Sequence, residues 1–337
     1  MTTEPTEPKN AIPANPLAAY QQMLDMWGQM LAPIAALNRD KVDPKDRRFQ
    51  GEDWNHPLFD LIRQGYGMAA EQMMSLAEAA PAADAQDKAK QIFAMRALVD
   101  AMSPANSPLT NPVALRRAVE TNGASLMTGF QHLAEDIQRG QLTHTDPNAF
   151  RLGENIATTP GKVVFQARLF QLIHYAPTTP DVLKTPLVIF PPWINRYYIL
   201  DLTPEKSFIK WCVDQGISVF LVSWKSADAS MKDMIWDDYI VRGQIDAIDT
   251  VRDLLKVRSV HTIGYCVAGT TLAATLALLA ARGQADKVAS ATFFTAQVDF
   301  EKSGDLKHFI DEGQLQMIGQ LSPEGYLDGR YLAATFN

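Results

Sequence analysis

The clearest chemical potential in the sequence lies in Cys266, within the stretch GYCVAG at 264–269. The run VHTIGY predicts a strand before the cysteine, and an apolar segment predicts a helix directly after it. Gly264 and Gly269 are typical of a nucleophile elbow, where strand and helix approach closely and the central side chain projects above the sheet. The helix start favours thiolate over thiol, and the Val267 amide would point at the oxygen of a tetrahedral intermediate. The alternative is a structural cysteine buried beside a glycine-rich turn.

Two other residues with reactive side chains, Cys212 and His261, are expected to have structural roles. Cys212 lies in the middle of a predicted helix, within FIKWCVDQ, and we expect it to pack in the core. A disulfide between the two cysteines is not expected in a reducing cytoplasm. His261 stands at the beginning of its strand, far from the end that carries Cys266, so we expect a structural role for it.

The segment 153–337 supplies the elements that would position Cys266. The stretch KVVFQARLFQLIHYAP predicts two antiparallel strands around a bend, and PLVIFPPW and ISVFLVSW predict buried strands. Between those two strands we predict a helix that Thr203 caps, Pro204 opens and Gly216 closes. Further helices at 235–257 and 270–282 alternate with the strands VHTIGY and VASATFFTA. This alternation predicts parallel strands with right-handed crossovers in an α/β sheet covered on both faces.

The chain before residue 153 divides into two predicted segments. Residues 1–45 read as a disordered leader with an amphipathic helix, and residues 46–152 as a mostly helical domain. Asn111 before Pro112 predicts a helix cap followed by proline in the first turn. The amphipathic helix either docks on the rest of the protein or contacts an apolar surface or a partner helix. One face of that helix carries Tyr20, Met23, Leu24, Trp27 and Leu31.

Composition excludes several classes of function. A formal net charge of −7 and the absence of a basic block argue against nucleic acid as a partner. The N-terminus lacks the basic start and apolar core of a secretory signal, so we expect a cytoplasmic protein. The longest apolar run, 272–281, is about half of the roughly 20 residues that a transmembrane helix needs. We therefore expect no transmembrane segment.

The sequence resembles the class I polyhydroxyalkanoate synthases over most of its length after residue 45. Five stretches carry the match: DRRFQGEDW (46–54), VDAMSPANSPLTNP (99–112), PPWINRYYILDLTPEKSFIKWCVDQG (191–216), VFLVSWKSADASMKDMIWDDYI (219–240) and GYCVAGTTLA (264–273). The resemblance implies an α/β-hydrolase fold preceded by a mostly α-helical N-terminal region. It makes Cys266 the acyl-accepting nucleophile, with the backbone amides of Val267 and Ile194 as oxyanion donors. Asp201 follows the oxyanion loop and either organises that loop or caps a helix, and Ala268 stands where the family usually has glycine.

The resemblance also implies a reaction and its setting. Such synthases polymerise (R)-3-hydroxyacyl-CoA, here 3-hydroxybutyryl-CoA, into polyester and release CoA through a covalent cysteine acyl-enzyme. No cofactor and no metal are implied, because the CoA thioester is the substrate. The implied partners are the polyester granule surface, phasin-type granule proteins and a second copy in a homodimer of the full-length enzyme. The implied location is the cytoplasm, in association with granules.

The family's catalytic Asp and His have no match within the 337 residues. In this fold they follow later strands, and the segment after VASATFFTAQVDF reads as the beginning of a cap region. Asp299 comes one strand too early to be the acid. None of the six histidines stands at the expected place: they are His56, His132, His144, His174, His261 and His308.

We therefore expect an N-terminal part of a synthase, with its hydrolase fold incomplete at the C-terminus, which is inactive alone. One alternative is a hydrolase of the same fold that acts on a polyester or a thioester. The other is a granule-associated or assembly protein without enzymatic activity.

Overall fold

A computed structural model describes residues 15–36, 45–143, 145–146, 148–309 and 311–336. Residues 1–14 and 37–44 of the predicted leader and His144 lie outside the described residues. The described backbone forms two compact units. The first extends to Gly140 and includes Asp305–Phe309, whereas the second holds Gln141–Gly304 and 311–336. The domain boundary predicted from the sequence lies between residues 152 and 153.

The first unit is helical, as its 3.6-residue periodicity predicts. Its helices are α1 (Pro16–Ala35), α2 (Pro57–Ala79), α3 (Ala85–Ala101), α4 (Pro112–Glu120) and α5 (Ala124–Arg139). Single 3₁₀ turns lie at Arg47–Phe49, Glu52–Asn55 and Pro104–Asn106. The Asn111 side chain accepts hydrogen bonds from the amides of Val113 (3.0 Å) and Ala114 (3.4 Å), which confirms the predicted cap. Gly140 ends α5 in the left-handed conformation, at φ 66°.

The predicted apolar face of α1 divides between two environments. Leu24 is buried and packs in a cluster with Phe49, Trp54 and Phe59. The Phe49 and Trp54 rings meet edge to face, with their centroids 4.9 Å apart. Met23 and Trp27, from the same predicted face, remain exposed. Docking within the unit therefore uses part of this face only.

The second unit is built on a six-stranded sheet. Its strands are β1 (Gly161–Gln166), β2 (Phe170–Tyr175), β3 (Leu187–Phe190), β6 (Val219–Trp224), β7 (Val260–Tyr265) and β8 (Val288–Phe294), in the spatial order β1-β2-β6-β3-β7-β8. The strands β1, β2 and β6 pair antiparallel, whereas β6, β3, β7 and β8 pair parallel. A separate hairpin joins β4 (Asp201–Thr203) to β5 (Lys206–Ser207).

Helices connect the parallel strands of this unit along the chain, and two more follow the last strand. They are α6 (Phe208–Asp214), α7 (Trp236–Asp238), α8 (Asp246–Leu255), α9 (Val267–Ala281), α10 (Glu312–Gln320) and α11 (Gly329–Phe336), with a π-helical segment at Tyr239–Ile245 and 3₁₀ turns at Tyr197–Leu200, Ala229–Met231 and Ala285–Lys287. A further 3₁₀ turn, Gly304–Phe309, lies almost entirely in the first unit. Two apolar clusters form the core, one around Phe190, Phe220 and Leu272 and the other around Ile189, Ile209 and Leu221. This is the expected α/β-hydrolase fold: a mostly parallel sheet, which follows a helical N-terminal region along the chain. None of the described helices combines the length and apolar character that a membrane crossing requires.

The prediction that Thr203 caps a helix is wrong. Thr203 pairs with Lys206 in the β4–β5 hairpin, and α6 begins at Phe208. The cap is Ser207, whose hydroxyl accepts a hydrogen bond of 2.8 Å from the Lys210 amide. Hairpin pairing uses the backbone that the predicted first turn would have needed. The other end of the prediction is confirmed, because Gly216 follows α6 with φ 74°.

Candidate active site

Cys266 lies at the turn between β7 and α9, with its side chain exposed. Its backbone has φ 53° and ψ −126°, a region that residues with a Cβ rarely adopt. The Cys266 amide donates a 2.8 Å hydrogen bond to the Phe294 carbonyl at the end of β8. The strained turn therefore presents the thiol at the carboxyl edge of the parallel strands while its backbone is tied to the neighbouring strand.

Two glycines allow this turn to form. A Cβ on Gly264 would lie 2.6 Å from the Cα of Gly269, and a Cβ on Gly269 would lie 2.4 Å from the Cβ of Ala296. Both distances are far below van der Waals contact. The strand and the helix therefore approach each other as the elbow pattern predicts.

Ala268 is accommodated without distortion of the turn. It lies in the first turn of α9, is fully buried, and packs in the core cluster that contains Leu272. Its methyl group is part of that core cluster. A glycine at this position would leave that part of the core unfilled.

The two predicted oxyanion donors, the amides of Val267 and Ile194, lie on segments that leave the sheet at the same edge as Cys266. Val267 is the first residue of α9, and the first N–H groups of a helix have no partner within the helix. Ile194 lies in the loop after β3, and Phe190 at the end of β3 is in register with Gly264 of β7. Because β3 and β7 are parallel neighbours, the Ile194 loop leaves the sheet at the edge where Cys266 stands. The roles of both amides in catalysis stay predictions.

Asp201 is buried and connects two segments of the chain. One of its carboxylate oxygens accepts hydrogen bonds from the hydroxyls of Thr159 (2.6 Å) and Ser207 (2.7 Å). Its carbonyl accepts a 3.0 Å bond from the Ala157 amide. Asp201 therefore ties the segment before β1 to the β4–β5 hairpin, which continues from the Ile194 loop.

An aromatic cluster that the sequence analysis missed lies at the same edge of the sheet. The ring of Trp193 contacts three others: Tyr239 (4.5 Å between centroids), Trp224 (5.8 Å) and Trp236 (6.0 Å). The Trp224 indole donates a 2.7 Å hydrogen bond to the Pro191 carbonyl, which ties the end of β6 to the loop after β3. The sequence does contain a sign of this cluster, because a tryptophan stands at the end of β6 (Trp224) and another stands shortly after the end of β3 (Trp193). The cluster gives the carboxyl edge an apolar aromatic wall.

The described histidines lie away from Cys266 or in the other unit. His261 is the second residue of β7 and contacts the Ser290 hydroxyl at 2.7 Å, and its position five residues before Cys266 places it about 16 Å away along the strand. His174 stacks on Phe220 near the beginning of β6, and burial lowers its pKa. The other three are His56, His132 and His308, all in the first unit.

Two further residues singled out in the sequence have structural environments. Cys212 is buried in α6, and this burial raises the pKa of its thiol to about 11, so the thiol is protonated at neutral pH. Asp299 lies in the loop after β8, where its carboxylate accepts a 3.0 Å hydrogen bond from the Glu301 amide. Among the described residues, no group of three or more His, Cys, Asp or Glu side chains is arranged to hold a metal ion.

Known proteins resemble this chain closely. Residues 45–212 match the family described as Poly-beta-hydroxybutyrate polymerase (PhaC) N-terminus. The poly(3-hydroxyalkanoate) polymerase subunit PhaC of Rhizobium meliloti is 44% identical over 93% of this chain and 52% of its own length. The poly(3-hydroxyalkanoate) polymerase of Methylorubrum extorquens is 43% identical over 94% of this chain and 54% of its own length.

Solved structures are more distant. A structure of fungal esterases from Rhizomucor miehei aligns at 15% identity with a TM-score of 0.34, over 52% of this chain and 58% of that one. The chain spans about half the length of the curated relatives that it matches. By its sequence, it belongs to the poly(3-hydroxyalkanoate) polymerase family and corresponds to the N-terminal part of these enzymes.

Proposed function

We propose that this chain carries the nucleophile of a class I polyhydroxyalkanoate synthase. Cys266 accepts the acyl group of an (R)-3-hydroxyacyl-CoA, with 3-hydroxybutyryl-CoA as the expected substrate. The observation that carries the proposal is an exposed thiol on a positive-φ turn between a buried strand and the start of a helix. The family of the chain supports the choice of substrate.

The proposed acylation is a thioester exchange. The Cys266 thiolate attacks the carbonyl carbon of the substrate, and the resulting oxyanion accepts hydrogen bonds from the amides of Val267 and Ile194. The carbon–sulfur bond to CoA then breaks, and CoA leaves as a thiolate that takes up a proton from solvent. Because a thioester is exchanged for a thioester, the acyl-enzyme remains reactive, whereas a serine would form a less reactive oxygen ester.

Elongation makes a further demand on the site. The 3-hydroxyl of a second monomer or of the growing chain attacks the acyl-enzyme carbonyl, forms an ester and releases the Cys266 thiolate. The hydroxyl proton must pass to a base, which typically contributes about 10²–10⁴-fold to the rate. Of the histidines that the structure describes in the second unit, His174 and His261 lie toward the opposite ends of their strands from this edge. We therefore infer that the 337-residue chain by itself is acylated slowly and does not sustain polymerisation.

We also propose that the chain acts at the surface of cytoplasmic polyester granules. Support comes from α1, which exposes a row of large apolar side chains while Leu24 on the same helix packs inward. The exposed residues of this row are Met23, Met26, Trp27 and Met30. Such a face suits an apolar polymer or a phasin-type granule protein. We propose as well that the full-length enzyme forms a homodimer.

The test of the acyl-enzyme uses the two cysteines as a matched pair. We expect wild-type protein and the Cys212→Ala variant to gain the mass of one hydroxybutyryl group on incubation with (R)-3-hydroxybutyryl-CoA, with release of one CoA. The Cys266→Ala variant should gain none while it keeps its circular dichroism spectrum. Acylation that persists without Cys266 would refute the assignment. A folded wild-type protein that is never acylated would favour the non-enzymatic alternative, and free hydroxybutyrate without polymer would favour the hydrolase.

A further inference from the structure

A buried polar cluster lies between the π-helical segment and α9. Gln244, Thr271 and Thr275 are each fully buried. The Gln244 amide nitrogen donates to the Ala268 carbonyl (2.9 Å) and to the Thr271 hydroxyl (3.0 Å), and the amide oxygen accepts from the Thr275 hydroxyl (2.7 Å). Both ends of the amide are therefore satisfied by a single helix.

The hydrogen bonds of the cluster converge on the first turn after Cys266. Thr271 lies within hydrogen-bond distance of the Ala268 carbonyl (3.0 Å) and the Val267 carbonyl (3.3 Å), to either of which its hydroxyl can donate. Gln244 thus contacts one of these carbonyls directly and reaches both through Thr271. The two carbonyls belong to the residues that directly follow the nucleophile.

Burying the Gln244 amide costs free energy unless its nitrogen and oxygen are both hydrogen-bonded. Neighbouring side chains are apolar, and include Ile240, Ile245 and Leu279. An apolar residue would fill the space with less loss of hydration, whereas a fully bonded polar network selects one geometry. The cluster therefore contributes a defined position for the first turn of α9 more than it contributes stability.

The π-helical segment gives Gln244 this position. Gly243, which precedes it, packs against the ring of Trp224, where a Cβ would lie 2.9 Å from the ring carbons. Tyr239 at the start of the segment contacts the rings of Trp193 and Trp224. One segment thus touches the aromatic wall on one side and the nucleophile helix on the other. π-Helical insertions are frequent at functional sites.

We propose that Gln244 is a positioning residue for the nucleophile. Through Ala268 and Thr271 it holds the first turn of α9, and with it the Cys266 backbone and the Val267 amide, in the geometry that acyl transfer needs. The proposal rests on the proposed function for its role in acyl transfer. Its effect on the thiol is measurable without any thioester substrate.

The experiment measures the reactivity of Cys266 in the 337-residue chain. Iodoacetamide alkylation is followed by peptide mass spectrometry across a range of pH, in wild type and in the Gln244→Met variant, which keeps the side-chain length and removes the amide. We expect alkylation of Cys266 at neutral pH to slow about tenfold, equivalent to about 1.4 kcal/mol, because helix N–H groups no longer held in place stabilise the thiolate less well.

A second pair of variants covers the case in which Gln244→Met does not fold. Thr271→Val removes the hydroxyl link to the first turn, whereas Thr262→Val is the same substitution at a buried hydroxyl of β7 that bonds the Ser290 carbonyl. We expect the Thr271 variant to slow alkylation and the Thr262 variant to stay within about twofold of wild type, a difference below ~0.5 kcal/mol.

Two outcomes would overturn the proposal. One is a folded Gln244→Met variant with wild-type alkylation at every pH and only a lower unfolding midpoint, since that shows a purely structural role. The other is equal slowing by the Thr271 and Thr262 variants. Acylation by (R)-3-hydroxybutyryl-CoA is measured on the same samples. If wild type is never acylated but Gln244→Met still slows alkylation, the proposed function fails and the positioning role stands.

Discussion

Replacing Gly264 with alanine should separate the nucleophile helix from the strand that carries it. The new Cβ would lie 2.6 Å from the Cα of Gly269 and 3.0 Å from two atoms of Leu272. Ordinary contact begins near 3.4 Å, so α9 must move from β7 by about 0.8 Å. The nearest atom belongs to the backbone and cannot rotate away. The displacement must therefore pass to Cys266 at the turn.

The size of the effect follows from this displacement. Overpacking of a well-filled interior typically costs about 1–3 kcal/mol, and we expect the free energy of unfolding to fall by that amount. A misplacement of about 1 Å near the reacting atoms costs about 10²-fold in rate. We therefore expect the acylation rate of Cys266 to fall by about 10–100-fold, which is more than the loss of stability alone would cause in protein that is still folded.

Urea denaturation and single-turnover acylation, followed by intact-protein mass, measure the two effects. Iodoacetamide alkylation of Cys266 gives a second rate that does not depend on the substrate. The matched control is Gly319→Ala in α10, where no atom lies within 4 Å of the added Cβ. Removal of a helical glycine should there stabilise the protein by about 0.5–1 kcal/mol and leave both rates unchanged. Wild-type stability and wild-type rates in Gly264→Ala would refute the argument from close approach.

Three further predictions concern the buried residues Ala268, Asp201 and Cys212. Ala268→Gly should lower the free energy of unfolding by about 1–2 kcal/mol in urea titrations, since it adds a glycine to a helix and removes a buried methyl group, while the acylation rate stays close to wild type. Asp201→Ala should destabilise the protein by about 1–3 kcal/mol, because it leaves the buried hydroxyl of Ser207 and the half-buried hydroxyl of Thr159 without their acceptor, whereas Asp299→Ala in an exposed loop should change stability by less than about 0.5 kcal/mol. Burial raises the pKa of Cys212 from 9.0 to about 11, so the stability that this thiol contributes is complete below pH 9 and is lost as the pH rises toward 11. In urea titrations at several pH values, the free energy of unfolding of wild type should therefore fall by about 2–3 kcal/mol more than that of Cys212→Ala across that interval. The same pH dependence in both proteins would contradict the raised pKa of Cys212.

The elbow could be predicted from the sequence because its determinants are local. A cysteine between glycines, after an apolar run and before an apolar helix, specifies the turn within a few residues. Asn111 before Pro112 is a similar case, since cap and first turn are adjacent in the chain. Such features depend on the conformation of one short segment, which neighbouring residues largely decide.

The error at Thr203 shows where local reasoning fails. The stretch Leu202-Thr203-Pro204-Glu205 has the form of a helix start, but Asp201 binds Thr159, some forty residues earlier in the chain. This tertiary contact, together with the pairing of Thr203 with Lys206, holds the segment as a hairpin. A sequence read in short windows contains no sign of a partner so distant.

The same reason explains why Gln244 and the aromatic wall escaped prediction. The segment 235–257 has a helical pattern, and nothing in that pattern marks the π-helical turns at Tyr239–Ile245. Gln244 forms hydrogen bonds with Thr271 and Thr275, and the ring of Trp224 contacts that of Trp193, in each case across more than twenty residues. Long-range packing decides these contacts.

The π-helical segment also affects how this region tolerates changes in length. Removing one residue from an α-helix leaves its hydrogen-bonding pattern intact but rotates everything beyond the deletion by about 100°. Within Tyr239–Ile245 a deletion would shorten i→i+5 bonds to the ordinary i→i+4 spacing, so the backbone itself would lose little. Because a π turn holds about one residue more than an α turn, this deletion would leave Gln244 facing α9 with little rotation, and the contacts of Tyr239 would be kept. The π-helical segment thus accommodates one extra residue, and one continuous helix contacts the aromatic wall through Tyr239 and α9 through Gln244.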